Sequence, residues 1–533
     1  MRSSFSVRGS LGLLLGASCL LGHAACSSTD TSAYSDGDRT SEYGPDAGSY
    51  NGSERSDAGS SVPGNPGDKS GTRMVPRPDA GLLDPDAATP TCAGIDPSVP
   101  DVLYLSSDDS NSMASPAIAR RIISRHQGVV PALILRTYEF LNYYNVPYTP
   151  ADQGALRIVP QMRHAATATD VELQIGVQSA PALTPRAPIT LTLVLDTSGS
   201  MGGTPIATLS RAIKAIAAQL HSGDIVNAVT WDTVQRVRLE GHSVTGPNDP
   251  ALIALANGLS ASGGTDLSGG LAKGYDLAEQ YRGTGRINRL AIISDGQANV
   301  GITDAKLIGV KANVNDKDGI YLVGIGVGDG VNDTLMDVVT DAGNGAYVYL
   351  DSFDEADKIL GGRFDEVMGV AARDVQVKVT LPWYFKMLEF HGEEYSTDPA
   401  KVKPQDLAPG DSMVFHQLLR ACDAAQIQNA DSIEVEATWK DPITFAPLST
   451  KTTQTMATLF TGADAELRRG RAIVAYAEAL KAVAKSTVPA SGRRALLDKA
   501  ILAVDQADPG NTDPDLKEIR ALLVTYEQDV ATP

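Results

Sequence analysis

Between residues 189 and 370 the sequence alternates between strand-like and helix-like segments, and this alternation constrains the fold more than any other feature. The first segment, Ile189–Leu195, is an almost continuous apolar and β-branched run, which is typical of a strand buried on both faces. The next segment has apolar residues every three or four positions, as an amphipathic helix does. Repeated strand–helix units predict a doubly wound α/β domain with a mostly parallel sheet.

Six strands and six helices are expected in this region. The strands are expected at Ile189–Leu195, Ile225–Thr230, Val234–Leu239, Arg289–Ser294, Tyr321–Val327 and Tyr347–Leu350. The helices are expected from Pro205 to Leu220, with Thr204 as the cap, and at Pro250–Leu259, Leu267–Tyr281, Ala305–Asn315, Thr334–Ala342 and Asp354–Val370. In such a sheet, ligands bind outside the carboxyl ends of the strands, where the strand order reverses.

The segments before and after this region do not show the alternation of strands and helices. Before it we expect a helix from the Ser115 cap to Arg125, a helix over Ala132–Tyr144, and two strands near Leu156–Ala165 and Val171–Val177. After it, strands are expected at Val375–Leu381, Phe385–Phe390, Ser412–Leu419, Ile433–Trp439 and Lys451–Phe460. These predict a β-sandwich-like module, completed by the strands before Ile189, and the tail from Asp464 to Gln528 is predicted to be helical.

The first 25 residues are typical of a secretory signal peptide, with Arg2 and Arg8 ahead of an apolar run that is too short to span a bilayer. Cys26 follows two alanines and resembles the acylated cysteine of bacterial lipoproteins, although His23 stands where those proteins usually have leucine. Lipidation at Cys19, or secretion without a lipid, are the alternatives. The serine after Cys26 indicates the outer membrane in lipoproteins of this kind. We therefore expect an exported protein on a lipid anchor.

The segment from residue 27 to about residue 91 is rich in Ser, Asp, Gly and Pro and poor in aliphatic residues. It has too little apolar surface to offset the entropy lost on ordering, so a disordered tether is predicted. A flexible chain of this length has a reach of roughly 40–50 Å. Such a tether would hold a folded domain away from a membrane surface.

The net charge argues against one class of partner, and the cysteine and histidine patterns argue against one metal. The formal net charge is −19, which argues against nucleic acid because phosphate binding requires clustered Lys and Arg. Cys92 and Cys422 are the cysteines left beyond Cys19 and Cys26, and in an oxidising compartment they form either a disulfide or two buried thiols. There is no CxxC or HExxH pattern, and the histidines are scattered, which argues against zinc.

The most informative motif, Asp196-Thr197-Ser198-Gly199-Ser200, directly follows the first buried strand. It offers a carboxylate and two hydroxyls on alternate residues of a tight turn. Gly263-Gly264-Thr265-Asp266 opens a later helix, and Ser294-Asp295-Gly296 ends the fourth strand. All three segments fall at strand ends or helix starts, where ligands bind in this fold.

This combination resembles the metal-ion-dependent adhesion site of von Willebrand factor type A (VWA) and integrin I domains. The resemblance covers roughly residues 187–365. It implies that Asp196, Ser198, Ser200, Thr265 and Asp295 bind Mg²⁺ or Mn²⁺, directly or through water. It also implies that an Asp or Glu from a protein partner replaces one metal-bound water.

The resemblance favours a binding protein over an enzyme. Catalytic use of a metal also needs a positioned base or nucleophile, and no histidine with a supporting acid lies near the motifs. We expect no catalytic residue, no cofactor besides the divalent metal and no small-molecule substrate. The alternatives are metal-dependent self-assembly into an envelope scaffold, a metal-assisted hydrolase, and a loop whose serines only form turns or whose metal site is degenerate.

Two other motifs carry less information. The serine loop is not G-x-S-x-G, so a serine hydrolase is not indicated. The glycines between Gly324 and Gly328 imitate a dinucleotide fingerprint but fall in and after a strand, with no helix start for a phosphate.

The sequence also resembles bacterial VWA lipoproteins, in the runs 136–144, 297–301 and 341–345. The predicted domains are a signal peptide (1–25), a tether (26–97), an N-terminal flank (98–186), a VWA domain (187–371), a β-sandwich-like module (372–462) and a C-terminal helical segment (463–533).

Overall fold

The computed structural model describes residues 91–108, 111–299, 301, 319–343, 345–485 and 487–531. The signal segment, most of the tether and the helix expected at 305–315 lie outside the described residues. The strands are β1 Asp101–Ser106, β2 Arg157–His164, β3 Asp170–Gln178, β4 Ile189–Asp196, β5 Ile225–Trp231, β6 Gln235–Ser243, β7 Ile287–Ser294, β8 Tyr321–Val327, β9 Tyr347–Leu350, β10 Ala372–Leu381, β11 Phe385–Phe390, β12 Glu394–Ser396, β13 Gln405–Leu407, β14 Ser412–Ala421, β15 Ser432–Lys440 and β16 Pro447–Thr455.

The α-helices of the described residues fall into three groups along the chain, before, within and after the series of parallel strands. They are α1 Ala114–Ser124, α2 Thr137–Tyr143, α3 Thr204–Gln219, α4 Pro250–Asn257, α5 Leu267–Tyr281, α6 Asp333–Ala342, α7 Phe353–Asp357, α8 Phe364–Met368, α9 Met456–Thr461, α10 Ala465–Ala484, α11 Ala490–Ala507 and α12 Pro514–Val530.

The central sheet has the strand order β6-β5-β4-β7-β8-β9. Neighbouring strands are parallel except for β6, which is antiparallel to β5. The chain leaves β4 toward one edge of the sheet and returns on its other side at β7, so the strand order reverses beside β4. The predicted doubly wound α/β fold is therefore confirmed, with the reversal at the strand that ends in Asp196.

Strand β4 is buried along its whole length, because helices pack on the sheet beside it. Helix α5 approaches it closely at Gly274, where a Cβ would overlap the Val194 side chain. Leu191, Leu193 and Leu195 are fully buried in the same core. The apolar run seen in the sequence thus makes β4 the centre of the domain.

Two further antiparallel sheets combine strands from before and after the central sheet. One has the order β12-β1-β10-β15-β16, with β13 also paired to β10, and the other has the order β11-β14-β3-β2. Strand β1 pairs with β10, and β3 pairs with β14 along its full length. Their inner faces share one hydrophobic core, which includes Leu105, Leu173, Val377 and Phe415. The α/β domain is therefore inserted between two parts of one β-sandwich-like module, as the sequence predicted for the module.

The C-terminal helices pack against the N-terminal flank and share its hydrophobic core. The rings of Phe140 in α2 and Tyr476 in α10 meet edge to face at 5.3 Å. The Arg469 guanidinium in α10 donates to the Asn145 carbonyl at 2.7 Å. The tail is therefore folded onto the flank.

Cys92 and Cys422 are joined by a disulfide, with their Cα atoms 5.1 Å apart. The bond connects the segment before β1 to the residue after β14. Of the two alternatives that the sequence left open, the structure has the disulfide. It links the two sheets of the sandwich covalently across a sequence separation of 330 residues.

Several predicted boundaries are wrong for local reasons. Ser115 lies inside α1 instead of capping it, and its N–H donates to Glu139 Oε2 at 2.6 Å. Helix α2 begins only at Thr137, after a short 3-10 turn at 132–134. The predicted strand 451–460 ends at Thr455, whose side chain caps α9. Strands β1, β12 and β13 were not predicted, and the last two are too short to show alternation.

The helix predicted over 354–370 is interrupted. It consists of α7, a π-helical turn at 358–362 and α8. The turn ends in Gly361 and Gly362, and glycine costs about 1 kcal/mol relative to alanine in a helix. Apolar spacing continues through the break, which is why the sequence pattern did not show it.

We predict that Cys422→Ala lowers the free energy of unfolding by about 2–5 kcal/mol, because the unfolded chain regains the freedom that the cross-link removes. Denaturant unfolding of the oxidised protein would measure the loss. Cys92→Ala serves as the matched variant, since either substitution removes the same bond. The double variant should lose no more than either single variant, and additive losses would contradict a disulfide between these two residues.

Candidate functional site

Asp196 ends β4 and is completely buried. One carboxylate oxygen, Oδ1, accepts a hydrogen bond from the Ser198 N–H at 2.8 Å. The other, Oδ2, accepts from the Ser294 hydroxyl at 2.5 Å. Ser294 is the last residue of β7, the strand beside β4. The carboxylate is thus fixed in orientation from its own loop and from the neighbouring strand.

The carboxyl of Asp196 has a raised pKa, about 6. Burial is the main cause; the hydrogen bonds from Ser294 and Ser198 oppose it, and the charge of Asp295 adds to it. Among the described residues, the hydrogen-bond donors to the two carboxylates are neutral: the Ser198 N–H, the Ser294 O–H and the Gln297 N–H. Because the charge of Asp295 acts on Asp196, the two buried carboxylates lie near each other at this edge of the sheet.

The two serines of the loop lie side by side. The hydroxyl oxygens of Ser198 and Ser200 are 3.1 Å apart. Ser198 is buried and Ser200 is exposed, in a 3-10 turn formed by Gly199–Met201. Gly203, with φ +82°, then occupies the N-cap of α3, so the predicted cap Thr204 is instead the first helical residue. A positive φ here favours glycine, which lets the loop close tightly before the helix.

Thr265 is brought to the same edge by backbone contacts between the two loops. The Gly199 N–H donates to the Gly263 carbonyl at 3.0 Å, and the Ser262 N–H donates to the Thr197 carbonyl at 2.8 Å. Thr265 itself is buried. The loop that carries the serines and the loop that carries the threonine are therefore held together directly.

Asn299 holds Thr265 by two hydrogen bonds. The Thr265 N–H donates to Asn299 Oδ1 at 2.8 Å, and the Asn299 N–H donates to the Thr265 carbonyl at 3.1 Å. The sequence pattern predicts no role for the 297–301 run beyond its part in the resemblance. The sequence signal that could have indicated this role is an asparagine, Asn299, shortly after the Asp295-Gly296 turn, because short amide side chains often hydrogen-bond to nearby backbone.

Asp266, next to Thr265, has a structural role. Its Oδ1 accepts from the Gly269 N–H and the Ser268 hydroxyl, both at 3.0 Å, which caps the start of α5. Its Oδ2 accepts from the Gln235 amide at 2.8 Å. These bonds direct the Asp266 carboxylate toward the helix.

Asp295 follows β7 directly, and its side chain is buried. Its Oδ1 accepts from the Gln297 N–H at 3.0 Å, and its carbonyl accepts from the Asn332 N–H at 2.8 Å. Gly296 has φ +70°, so the turn after Asp295 also favours glycine. The Asp295 loop is therefore fixed by the loop that precedes α6.

All five residues singled out in the sequence are at the carboxyl edge of the central sheet, on three adjoining loops. They supply two carboxylates and three hydroxyls. Within the described ranges, no group of three or more His, Cys, Asp or Glu side chains could hold a metal ion. The candidate site depends on hydroxyl oxygens as much as on carboxylates, and oxygen ligands of both kinds suit Mg²⁺.

The glycines that imitate a dinucleotide fingerprint have a packing role. Gly324 and Gly326 lie inside β8. A Cβ at Gly324 would overlap the Thr340 side chain, and one at Gly326 would lie 2.9 Å from the Tyr347 hydroxyl oxygen. Helix α6 and strand β9 therefore approach β8 more closely than a larger residue would allow.

The family model for the von Willebrand factor type A domain matches residues 190–361. The chain contains a VWA domain. The matched region includes the central sheet and all five residues of the candidate site, so the fold and the family model agree on the same part of the chain.

Two bacterial relatives are uncharacterised proteins. YfbK of Escherichia coli is 31% identical over 191 residues, which are 36% of this chain and 33% of YfbK. Protein sll0103 of Synechocystis is 28% identical over 197 residues, 37% of this chain and 46% of that protein. The chain thus matches less than half of either relative.

A solved structure, a von Willebrand factor type A protein from Catenulispora acidiphila, is 14% identical and has a TM-score of 0.45, covering 71% of this chain and 97% of that one. Separately, none of the helices in the described part of the chain is long and apolar enough to cross a membrane.

We predict that Asn299→Ala lowers the free energy of unfolding by about 1–3 kcal/mol, because it leaves the buried Thr265 N–H without its acceptor. Denaturant unfolding in the presence of EDTA would measure this loss apart from any metal effect. Asn299→Asp is the matched control, since it keeps an oxygen in the same place and should retain most of the stability. Equal stability of wild type and the alanine variant would show that Asn299 does not hold Thr265.

Proposed function

We propose that the VWA domain is a binding module that holds Mg²⁺ or Mn²⁺ through Asp196, Ser198, Ser200, Thr265 and Asp295, and captures an acidic side chain of a protein partner. The observation that carries this proposal is the pair of buried carboxylates, Asp196 and Asp295, whose hydrogen-bond donors within the described ranges are all neutral. Buried charges are normally paired or bound to metal. A divalent cation beside these two carboxylates would supply the missing positive charge.

The donor set fits a hard divalent cation. Mg²⁺ prefers six oxygen ligands and usually keeps some of them as water. Two carboxylates balance its charge, and the hydroxyls of Ser198, Ser200 and Thr265 are neutral oxygen donors. Ser200 is exposed, so the site opens to solvent on that side. A carboxylate of a partner could therefore replace water there, and a bound metal would supply the positive charge that attracts it.

The position of the histidines supports a binding role over catalysis. His242 pairs with Val226 near the start of β5, and His221 precedes the same strand. Both histidines of the VWA domain therefore lie toward the edge of the sheet opposite the candidate site. His242 is also occupied by Asp249, whose Oδ1 is 2.9 Å from its ring nitrogen. Neither is placed to act as a base beside the five metal-binding candidates.

We further propose that the protein is exported and anchored through a lipid on Cys26, with the signal peptide removed and the tether joining the lipid to the folded part. The disulfide between Cys92 and Cys422 supports export, because such bonds persist in oxidising compartments. The tether would leave the VWA domain free to reach a partner at the outer membrane surface.

We predict that Mg²⁺ or Mn²⁺ binds saturably to the chain lacking its first 26 residues, and that Asp196→Asn and Asp295→Asn each abolish this binding. Isothermal titration calorimetry would measure it. Asp224→Asn is the matched control. Asp224 is equally buried but lies at the opposite edge of the sheet, where it pairs with Arg186 at 2.7 Å. That variant should be less stable yet bind metal normally.

The same proteins give a second readout in thermal unfolding. With metal at 100 times the dissociation constant, wild type should gain about 2.7 kcal/mol, and Asp196→Asn should gain nothing. In EDTA, Asp196→Asn should be at least as stable as wild type, because it removes one of two neighbouring buried charges. An unchanged titration in both site variants, or partner capture that survives EDTA, would rule out the proposed function.

A further inference from the structure

We propose that three arginines of the N-terminal flank, Arg121, Arg125 and Arg136, are positioning residues for the metal site. Together they form an arginine clamp on the loop 328–332 and on the first residue of α6. This inference rests on the proposed function, because it concerns the same site. It adds that the flank, which lies outside the matched VWA region, helps to set the affinity for the metal.

The loop 328–332 touches the metal site directly. The Asn332 N–H donates to the Asp295 carbonyl at 2.8 Å, and the Gln297 amide donates to the Gly330 carbonyl. A Cβ at Gly296 would lie 3.1 Å from the Asn332 Cβ, so the two loops are in contact with little space between them. A shift of the loop 328–332 would therefore move the backbone of Asp295.

The first half of the clamp holds the outer end of this loop. The Arg121 guanidinium donates to the Asp329 carbonyl at 2.6 Å, and Arg125 pairs with the Asp329 carboxylate at 2.5 Å. Arg121 also lies over the Tyr349 ring, 5.4 Å from its centroid, while the Tyr349 hydroxyl donates to the Gly328 carbonyl at 2.9 Å. Asp329 itself is exposed, so these contacts from α1 restrain a surface residue.

Arg136 holds the inner end of the loop. Its two terminal nitrogens lie 3.1 and 3.2 Å from the two carboxylate oxygens of Asp333, the first residue of α6. The same guanidinium pairs with Glu139, and with Asp337 at 3.6 Å. Arg136 is largely buried, and a two-pronged contact with a carboxylate fixes both distance and orientation. The start of α6, directly after Asn332, is thus fixed to the flank.

These contacts predict that loss of the clamp lowers the affinity for the metal, in addition to any effect on the stability of the fold. Partners that orient a metal ligand from outside its coordination shell typically change metal affinity about 10–100-fold when removed. The clamp acts through the Asn332 N–H on the carbonyl of Asp295. We therefore expect at least about a tenfold loss of affinity when the outer half of the clamp is removed.

The test is the double variant Arg121→Met/Arg125→Met in the chain lacking its first 26 residues, titrated with Mg²⁺ and Mn²⁺ by calorimetry. Arg121 and Arg125 are substituted instead of Arg136, because the loss of Arg136 would leave the buried carboxylates of Glu139 and Asp333 without their partner. Arg120→Met is the matched control. It lies on the same helix and pairs with Asp351 and Glu355 of the VWA domain, away from the loop. Because its loss removes a partner of those two buried carboxylates, it also controls for destabilisation that does not involve the loop. All proteins are compared at a temperature where each is fully folded.

The expected result is a weaker metal affinity in the double variant, an unchanged affinity in Arg120→Met, and recovery in Arg121→Lys/Arg125→Lys. An affinity equal to that of wild type in the double variant would overturn the inference while leaving the proposed function intact. Failure of wild type itself to bind either metal would instead overturn the proposed function, and with it the role of the clamp in metal affinity.

A measurement without metal tests the clamp by itself. In EDTA, the double variant should show faster amide hydrogen exchange at Asn332 and Gln297 than wild type and Arg120→Met, because the loop is less restrained. Exchange that is unchanged at both amides would show that the arginines do not hold the loop, whatever the metal does.

Discussion

The burial of Asp196 at the end of β4 is the constraint on which the rest of the site depends. A strand that is apolar along its length must lie in the middle of the sheet, and its last residue is then as buried as the others. A carboxylate in that position is costly unless its charge is compensated. The structure supplies oriented neutral donors from Ser198 and Ser294, and it brings a second carboxylate, Asp295, close by. The proposed cation site rests on these two neighbouring buried carboxylates.

The VWA domain that carries this site is inserted into the β-sandwich-like module. Strand β3 leads into β4, and the chain returns from α8 into β10, so the VWA domain is connected to one strand of each sheet of the module. Strands far apart in sequence must meet before this module is complete, which makes its folding depend on long-range contacts. The disulfide between Cys92 and Cys422 lies at the opposite end of the module from these connections, before β1 and after β14. The VWA domain is thus attached to the module by two chain connections instead of one.

The sequence predicted the elements whose signal is local and missed those that depend on packing. Strand β8 and helix α5 have the predicted bounds, because apolar period and turn residues mark both ends. The five candidate residues fall on one edge because strand ends in a parallel sheet share that edge. Asn299 and the arginine clamp were not predicted, since they join residues far apart in sequence and carry no periodic pattern. The break near Gly361 was missed for the opposite reason, because apolar spacing continues across it.

The arginine clamp connects the VWA domain to the helical segments that flank it. Helices α1 and α2 pack in the same core as the C-terminal helices, with Phe140 against Tyr476 and the Val130 N–H on the Tyr526 hydroxyl at 3.1 Å. The arginines therefore connect the loop beside Asp295 to a helical body outside the VWA domain. Linkage is reciprocal: contacts that raise the affinity for a metal must themselves be strengthened when the metal binds. Under the proposed function, a partner that engages the metal would therefore act on the flank and the tail as well as on the five residues at the sheet edge.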